Sequence, residues 1–282
     1  MLVAWKYSPT SPGELLARLM NPRGVDVAHP YDADFVRNAH VAPNLEPFAD
    51  EQRYTVLQHE HYMTVFDVHR RVPIVSYANV DWYRRRTTPI SETRNFTFDP
   101  LVPSANQWGS EAYQYDDYDR GHLTRRRSIA WGDDQEEAIA AQQQSDYYTN
   151  IVPQHSHFNR VVWASVEDAC RQLGSRTRTG RSIEVTGSWF DESRQPTYDE
   201  TNSIGKPEFR RVPDAYWKIC IAGSATCFFV PHSDREATLG KGCDSTSACD
   251  PLRIKQPADF VLTLDELKRK IGYNIDKEWR TE

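Results

Sequence analysis

The stretch that most constrains the fold runs from Pro153 to Leu173, where strand character gives way to a two-faced helix. Pro153 ends a strand-like run over Tyr147 to Ile151, and Ser156 can accept from the first amides of a helix over about residues 157 to 173. Phe158, Val161, Val162, Val166, Ala169 and Leu173 form one apolar stripe. Asn159, Trp163, Glu167 and Arg171 recur every fourth residue along a second stripe. One face therefore packs, and the other presents a carboxamide, an indole, a carboxylate and a guanidinium.

Strands to receive that helix are legible on both sides of it. Tyr54 to Leu57, Met63 to Val68 and Ile74 to Val80 read as paired strands, and so do Ile183 to Gly187, Tyr216 to Ile221, Cys227 to Val230 and Phe260 to Leu262. Glu136 to Gln144 and Leu264 to Ile271 read as helices, making the chain α+β. Residues 1–50 carry Pro9, Pro12, Pro22, Pro30, Pro43 and Pro47, with one short helix candidate at Glu14 to Met20. Because proline removes a donor and biases its neighbour away from helix, they read as an arm that wraps the next domain or as a linker. A single domain is expected over 51–282. Pro231 to Pro257 reads as an irregular excursion.

Composition narrows the function classes. A net charge of −6 speaks against holding nucleic acid by global electrostatics, so phosphate binding would rest on a local patch. Arg120 with Arg125 to Arg127, and Arg171 with Arg176, Arg178 and Arg181, are candidates, against the plain alternative of a solvated surface. No apolar run of about 18 residues occurs, and Met1 to Lys6 lacks the basic start and apolar core of a secretory signal. The default expectation is cytoplasmic, or export by a non-classical route. Five cysteines, an odd count, argue for free thiols and a reducing compartment. Cys220, Cys227, Cys243 and Cys249 lack the paired short spacing of a zinc site.

The chemistry concentrates at Asp119-Arg120-Gly121-His122-Leu123. Any one of nine histidines is by default a satisfied structural residue. Here a glycine that can turn tightly brings the imidazole to an edge, beside an arginine, with Asn150, Pro153, Gln154 and Asn159 following. Phosphodiester hydrolysis near neutral pH needs a base, charge stabilisation on the phosphoryl oxygens and help for the leaving oxygen. A neutral imidazole suits the first task. Mg²⁺ suits the others while borrowing only one or two protein oxygens, such as Asn159 with Glu167 holding a metal-bound water.

Together, Asp119-Arg120-Gly121-His122, Asn150-x-x-Pro153-Gln154 and Asn159, with Trp163 and Glu167 at helical offsets, resemble the DNA/RNA non-specific endonuclease family of the ββα-metal, or His-Me finger, superfamily. The resemblance extends over about residues 52 to 275, through Val185-Thr186-Gly187 and Tyr216-Trp217-Lys218. It implies a central antiparallel sheet flanked by helices and long loops, and metal-dependent cleavage of DNA and RNA to 5′-phosphate ends. Carried over by position, it implies His122 as general base and Asn159 as ligand of one Mg²⁺ (or Mn²⁺). Glu167 would act through a metal-bound water, and Asn150 would orient His122 or the site. Arg94, in Thr93-Arg94-Asn95-Phe96, resembles the phosphate-stabilising arginine, with Arg84 to Arg86 as competitors. Arg171 resembles one on the metal helix, Arg120 contacts phosphate or braces its loop, and Asp119 is structural.

Thr124-Arg125-Arg126-Arg127 departs from the small pair that many members carry, which points to an altered groove wall and substrate preference. A catalytically silent binding module on the same scaffold is the alternative. An inhibitor or immunity protein, a toxin or defence role, and a homodimer are left open.

Overall fold

The computed structural model describes residues 27–85, 94–113, 118–193, 198–199, 210–232, 256–273 and 278–279. Its centre is a seven-stranded antiparallel sheet in the order β12-β11-β10-β7-β4-β3-β2. The strands are β2 (Tyr54–His59), β3 (Tyr62–Asp67), β4 (Val72–Asp81), β7 (Arg181–Trp189), β10 (Ala215–Ile221), β11 (Ala225–Pro231) and β12 (Val261–Leu262). Two-residue pairs, β1 (Ala39–His40) with β13 (Glu278–Trp279) and β8 (Tyr198–Asp199) with β9 (Arg210–Arg211), lie outside it. The antiparallel α+β architecture matches the sequence expectation.

Alternation along the strands splits the interior into two layers. Val65, Val75, Ile183, Val185, Trp217 and Ile219 face one layer, closed by α3 (Leu264–Ile271) through Leu267 and by Tyr273. Tyr31, Val36, Ala39, Val41, Leu45 and Phe48, from the proline-rich arm, are buried in that same layer. The helix expected at Glu14 to Met20 lies outside the described residues. Gly187 is required by packing, since a Cβ there would stand 2.2 Å from the Trp217 ring.

The opposite face carries Tyr216, Cys220, Phe228 and Val230 and receives the ββα unit. In that unit β5 (Tyr118–His122) pairs with β6 (Ile151–His155), and α1 (Gln135–Ser145) is inserted between them. The chain then enters π-helical Phe158–Trp163, which continues as α2 (Ala164–Ser175).

Three local expectations are corrected here. Residues Tyr148–Asn150 form a 3₁₀ turn, and the strand begins at Ile151 and runs through Pro153 instead of ending there. Proline is tolerated because β6 pairs only with β5, leaving one edge that needs no donor. Ser156 is itself the first helical residue, so it does not stand before the helix in the capping position expected of it. The wide π turns also rotate the stripes: Trp163 is buried and stacks on Phe158, whereas Val161 is 38% exposed.

The free-thiol expectation is overturned as well. Cys170 of α2 and Cys220 of β10 form a disulfide, their Cα atoms 5.5 Å apart, and Cys227 is buried. Packing of α2 on the sheet brings together cysteines 50 residues apart, which an odd count could not reveal and which removes the argument for a reducing compartment. Cys243 and Cys249 lie outside the described residues.

Candidate active site

His122 ends β5 with its side chain 9% exposed. Its Nε2 lies 2.9 Å from Oδ1 of Asp146, a buried carboxylate at the C-terminus of α1. A carboxylate accepts, so Nε2 carries the hydrogen and Nδ1 keeps the lone pair. Burial lowers the His122 pKa below its ordinary value; Asp146 opposes this, and the nearby Arg94 and Arg126 cations add to it. The ring is thus neutral at pH 7, the state a general base requires.

The turn after His122 is fixed by Asn150, which is fully buried. Its Oδ1 accepts from Thr124 N at 2.8 Å, and its Nδ2 donates to Thr124 O and Ser145 O at 3.0 and 2.9 Å. All three bonds go to main chain, so Asn150 holds the backbone that follows His122. The expectation for Gly121 is corrected. It lies within β5, and a Cβ there would stand 2.3 Å from the Gln154 carboxamide of the facing strand, so it serves clearance and not a hinge.

The far end of β5 holds the start of the helix. Asp119 accepts from Asn159 Nδ2 at 2.9 Å and from Arg160 Nε and Nη2 at 2.9 and 2.6 Å. With its amide nitrogen tied down, Asn159 has Oδ1 to offer to a cation. Further along the helix, Glu167 is 12% exposed and lies 3.2 Å from Arg125 Nε. Burial raises its pKa, held back by Arg125 and Lys218 and reinforced by Glu184 and Asp168. A carboxamide oxygen and a carboxylate are hard donors, the kind an oxygen-seeking divalent cation accepts in small number.

The model of the DNA/RNA non-specific endonuclease family matches residues 42–282. The chain belongs to this family. It is 30% identical over 208 residues to a nuclease of Serratia marcescens, covering 71% of this chain and 68% of that protein. It is 24% identical to the mitochondrial nuclease of Saccharomyces cerevisiae, covering 75% and 66%. With mitochondrial endonuclease G of Bos taurus it shares 28% identity, over 46% of this chain and 42% of that protein. The crystal structure of EndoG with EndoGI, described as showing the mechanism of EndoG inhibition, superimposes with a TM-score of 0.57 at 17% identity, covering 77% of this chain and 83% of that one. At that identity it shows the fold. The protein is a DNA/RNA endonuclease of a metal-dependent family, with nucleic acids as substrates.

In this endonuclease the arginines divide by partner. Exposed Arg94 stands close enough to lower the His122 pKa, and Arg120 lies over the Phe96 ring at 4.5 Å, with Phe96 5.6 Å from the His122 ring. Among its competitors, Arg84 pairs with Asp133, and Arg86 lies outside the described residues. Arg171 is 43% exposed and only loosely tied to Asp168, at 3.4 Å. Arg125 pairs with Glu167 and Asp168, and Arg126 lies 3.3 Å from Asp146. Arg125 and Arg126, expected to alter a groove wall, are thus engaged by carboxylates, and Arg127 alone of the three is exposed.

Sequence reasoning missed Asp146, the one acidic residue between α1 and the Tyr147-Tyr148 pair. It also missed the buried pair beneath Glu167, in which Lys218 Nζ meets Glu184 Oε2 at 2.8 Å and donates to Thr186 Oγ1 at 2.8 Å. Period-two alternation placed Glu184, Thr186 and Lys218 on one face, and that signal was available.

Proposed function

We propose that this endonuclease hydrolyses phosphodiester bonds with His122 as general base and one Mg²⁺ at Asn159, releasing 5′-phosphate ends. The observation that carries the reading is the pair of fixed groups on β5 and the helix: a neutral imidazole oriented by Asp146, and a carboxamide oriented by Asp119. The donor set suits Mg²⁺, which keeps several waters and takes few protein oxygens. Bound there, the cation would supply charge stabilisation to the phosphoryl and leaving oxygens.

His122 Nδ1 accepts the proton of the attacking water, and Asp146 stabilises the imidazolium that results. Asn159 Oδ1 would hold the cation, and Glu167, restrained by Arg125, would accept from water beside it. Arg94 and Arg171 bind phosphate, and Arg120, stacked on Phe96, steadies the same wall. Because EndoG is solved with EndoGI, a protein inhibitor is a reasonable partner class for this chain too.

The test is cleavage of duplex DNA, single-stranded DNA and RNA with Mg²⁺, Mn²⁺ or EDTA, followed by end analysis. Magnesium-supported cleavage to 5′-phosphates is expected, restored after EDTA by added Mg²⁺. Full activity in EDTA, or 3′-phosphate products, would overturn the reading.

A further inference from the structure

A second cluster of metal-binding side chains lies where the arm meets the sheet. His61, in the turn between β2 and β3, is 1% exposed, and its ring stacks on Trp131 at 3.6 Å and 11°. Its Nδ1 faces Ile129 O at 3.0 Å. A carbonyl only accepts, so Nδ1 carries a hydrogen, and in the neutral ring Nε2 is a bare lone pair. That lone pair faces Glu137 Oε1 at 2.8 Å, and His29 Nδ1 approaches the same oxygen at 3.3 Å. Two acceptors this close repel unless a cation or a proton lies between them. The three donor atoms all lie within 4.8 Å of one another.

We propose that His29, His61 and Glu137 bind a borderline transition-metal ion of the zinc class. Two imidazoles and a carboxylate are the donor set such ions select, in contrast to the oxygen donors of the nuclease centre. Ligands on a tetrahedral ion stand about 3.3 Å apart. The His29–Glu137 spacing of 3.3 Å already matches, the His61–Glu137 spacing of 2.8 Å needs only a small opening, and the two imidazole donor atoms lie within 4.8 Å.

The cluster also has the supporting bonds that metal ligands carry. Ile129 O fixes the His61 tautomer, and Glu137 Oε2 accepts from Asp133 N at 2.7 Å. His29 is held by main-chain bonds, donating to Glu60 Oε2 at 3.0 Å and accepting from His61 N at 2.7 Å. His29 is half exposed, which gives an ion a path in. Glu137 and Asp146 are nine residues apart along α1 and its C-cap, about 14 Å, so this site is distinct from the catalytic one. A bound ion would staple the arm to the β2–β3 turn.

The test is zinc stoichiometry of the full chain after dialysis in chelator-free buffer with excess Mg²⁺, together with the visible absorption of the Co²⁺ form. One tightly held equivalent with a four-coordinate Co²⁺ spectrum is expected. His29→Ala, at a half-exposed position, and Glu137→Gln each remove a ligand and should weaken it by more than about 10-fold, since losing a supporting partner alone costs about 10- to 100-fold. Asn159→Ala should leave it unchanged. Zinc should raise the unfolding temperature of the parent chain and not of His29→Ala. No retained zinc, as a protonated His61 paired with Glu137 would give, overturns the proposal. So does equal retention by His29→Ala, or loss in Asn159→Ala.

Discussion

Replacing Asp146 by Asn separates a positioning carboxylate from a merely structural one. Asp146 is 2% exposed, its Oδ1 2.9 Å from His122 Nε2 and its Oδ2 accepting from Asn95 N at 3.4 Å. Asn keeps the shape and an acceptor oxygen but removes the charge. A hydrogen bond to a charged group contributes about 1.5–3 kcal/mol, against about 1 for a neutral one. The difference, about 0.5–2 kcal/mol, applies when His122 becomes an imidazolium, and corresponds to a rate about 2- to 30-fold lower. The sign on pH follows from the same contact. Burial lowers the His122 pKa and Asp146 opposes it, so removing the charge lowers it further and moves the acid limb of activity to lower pH. Initial rates of plasmid nicking at saturating Mg²⁺, over about pH 5 to 9, read both effects. A loss from damaged structure would lower the plateau without moving the limb. An unchanged plateau, or a limb displaced to higher pH, refutes the reasoning.

Three further predictions concern stability. His232 accepts from His155 N and donates to Pro213 O in an aromatic enclosure, and burial lowers its pKa from 6.5 to about 4. Its neutral form supports the fold above pH 6.5, and that support fades as pH falls toward 4. Urea unfolding should show a loss of about 2 kcal/mol between pH 7 and 5 from this group, absent in His232→Gln. An equal acid loss in the variant contradicts this. Lys218→Met leaves Glu184 buried without its cation and should cost about 3–5 kcal/mol in denaturant unfolding, much of it recovered by adding Glu184→Leu. No recovery in the double variant would argue against the pair. Reducing Cys170–Cys220, which closes a separation of 50 residues, should cost about 4 kcal/mol, and an unchanged melting temperature with reductant would contradict that.

The sheet was legible because each strand had to be apolar on a face that is buried; α3 spans the residues expected of it, and the structure adds that Thr263 and Glu266 fix its start with a reciprocal cap. Of the site residues, the structure sets Arg120 and the Asp146-bound His122 around Phe96, leaves Arg94 near enough to act on the His122 charge, and links Asn159 to β5 through Asp119. Other features depended on contacts that spacing does not encode. The π turns exchange the faces of Val161 and Trp163, which a fixed 3.6-residue period cannot anticipate. Asp146 reaches His122 only because α1 folds back between β5 and β6, and Arg125 and Arg126 are paired with carboxylates distant in sequence. Gly121 is needed for the Gln154 side chain beside it, a cross-strand requirement that looks like a hinge when read along the chain.

The most direct measurement is the Mg²⁺-dependent cleavage rate of His122→Ala, with folding checked by thermal unfolding. Loss of the base should lower the rate by about 10²- to 10⁴-fold while unfolding stays cooperative and metal-dependent residual activity persists. A folded His122→Ala protein that cleaves DNA and RNA within twofold of the parent rate would contradict the account.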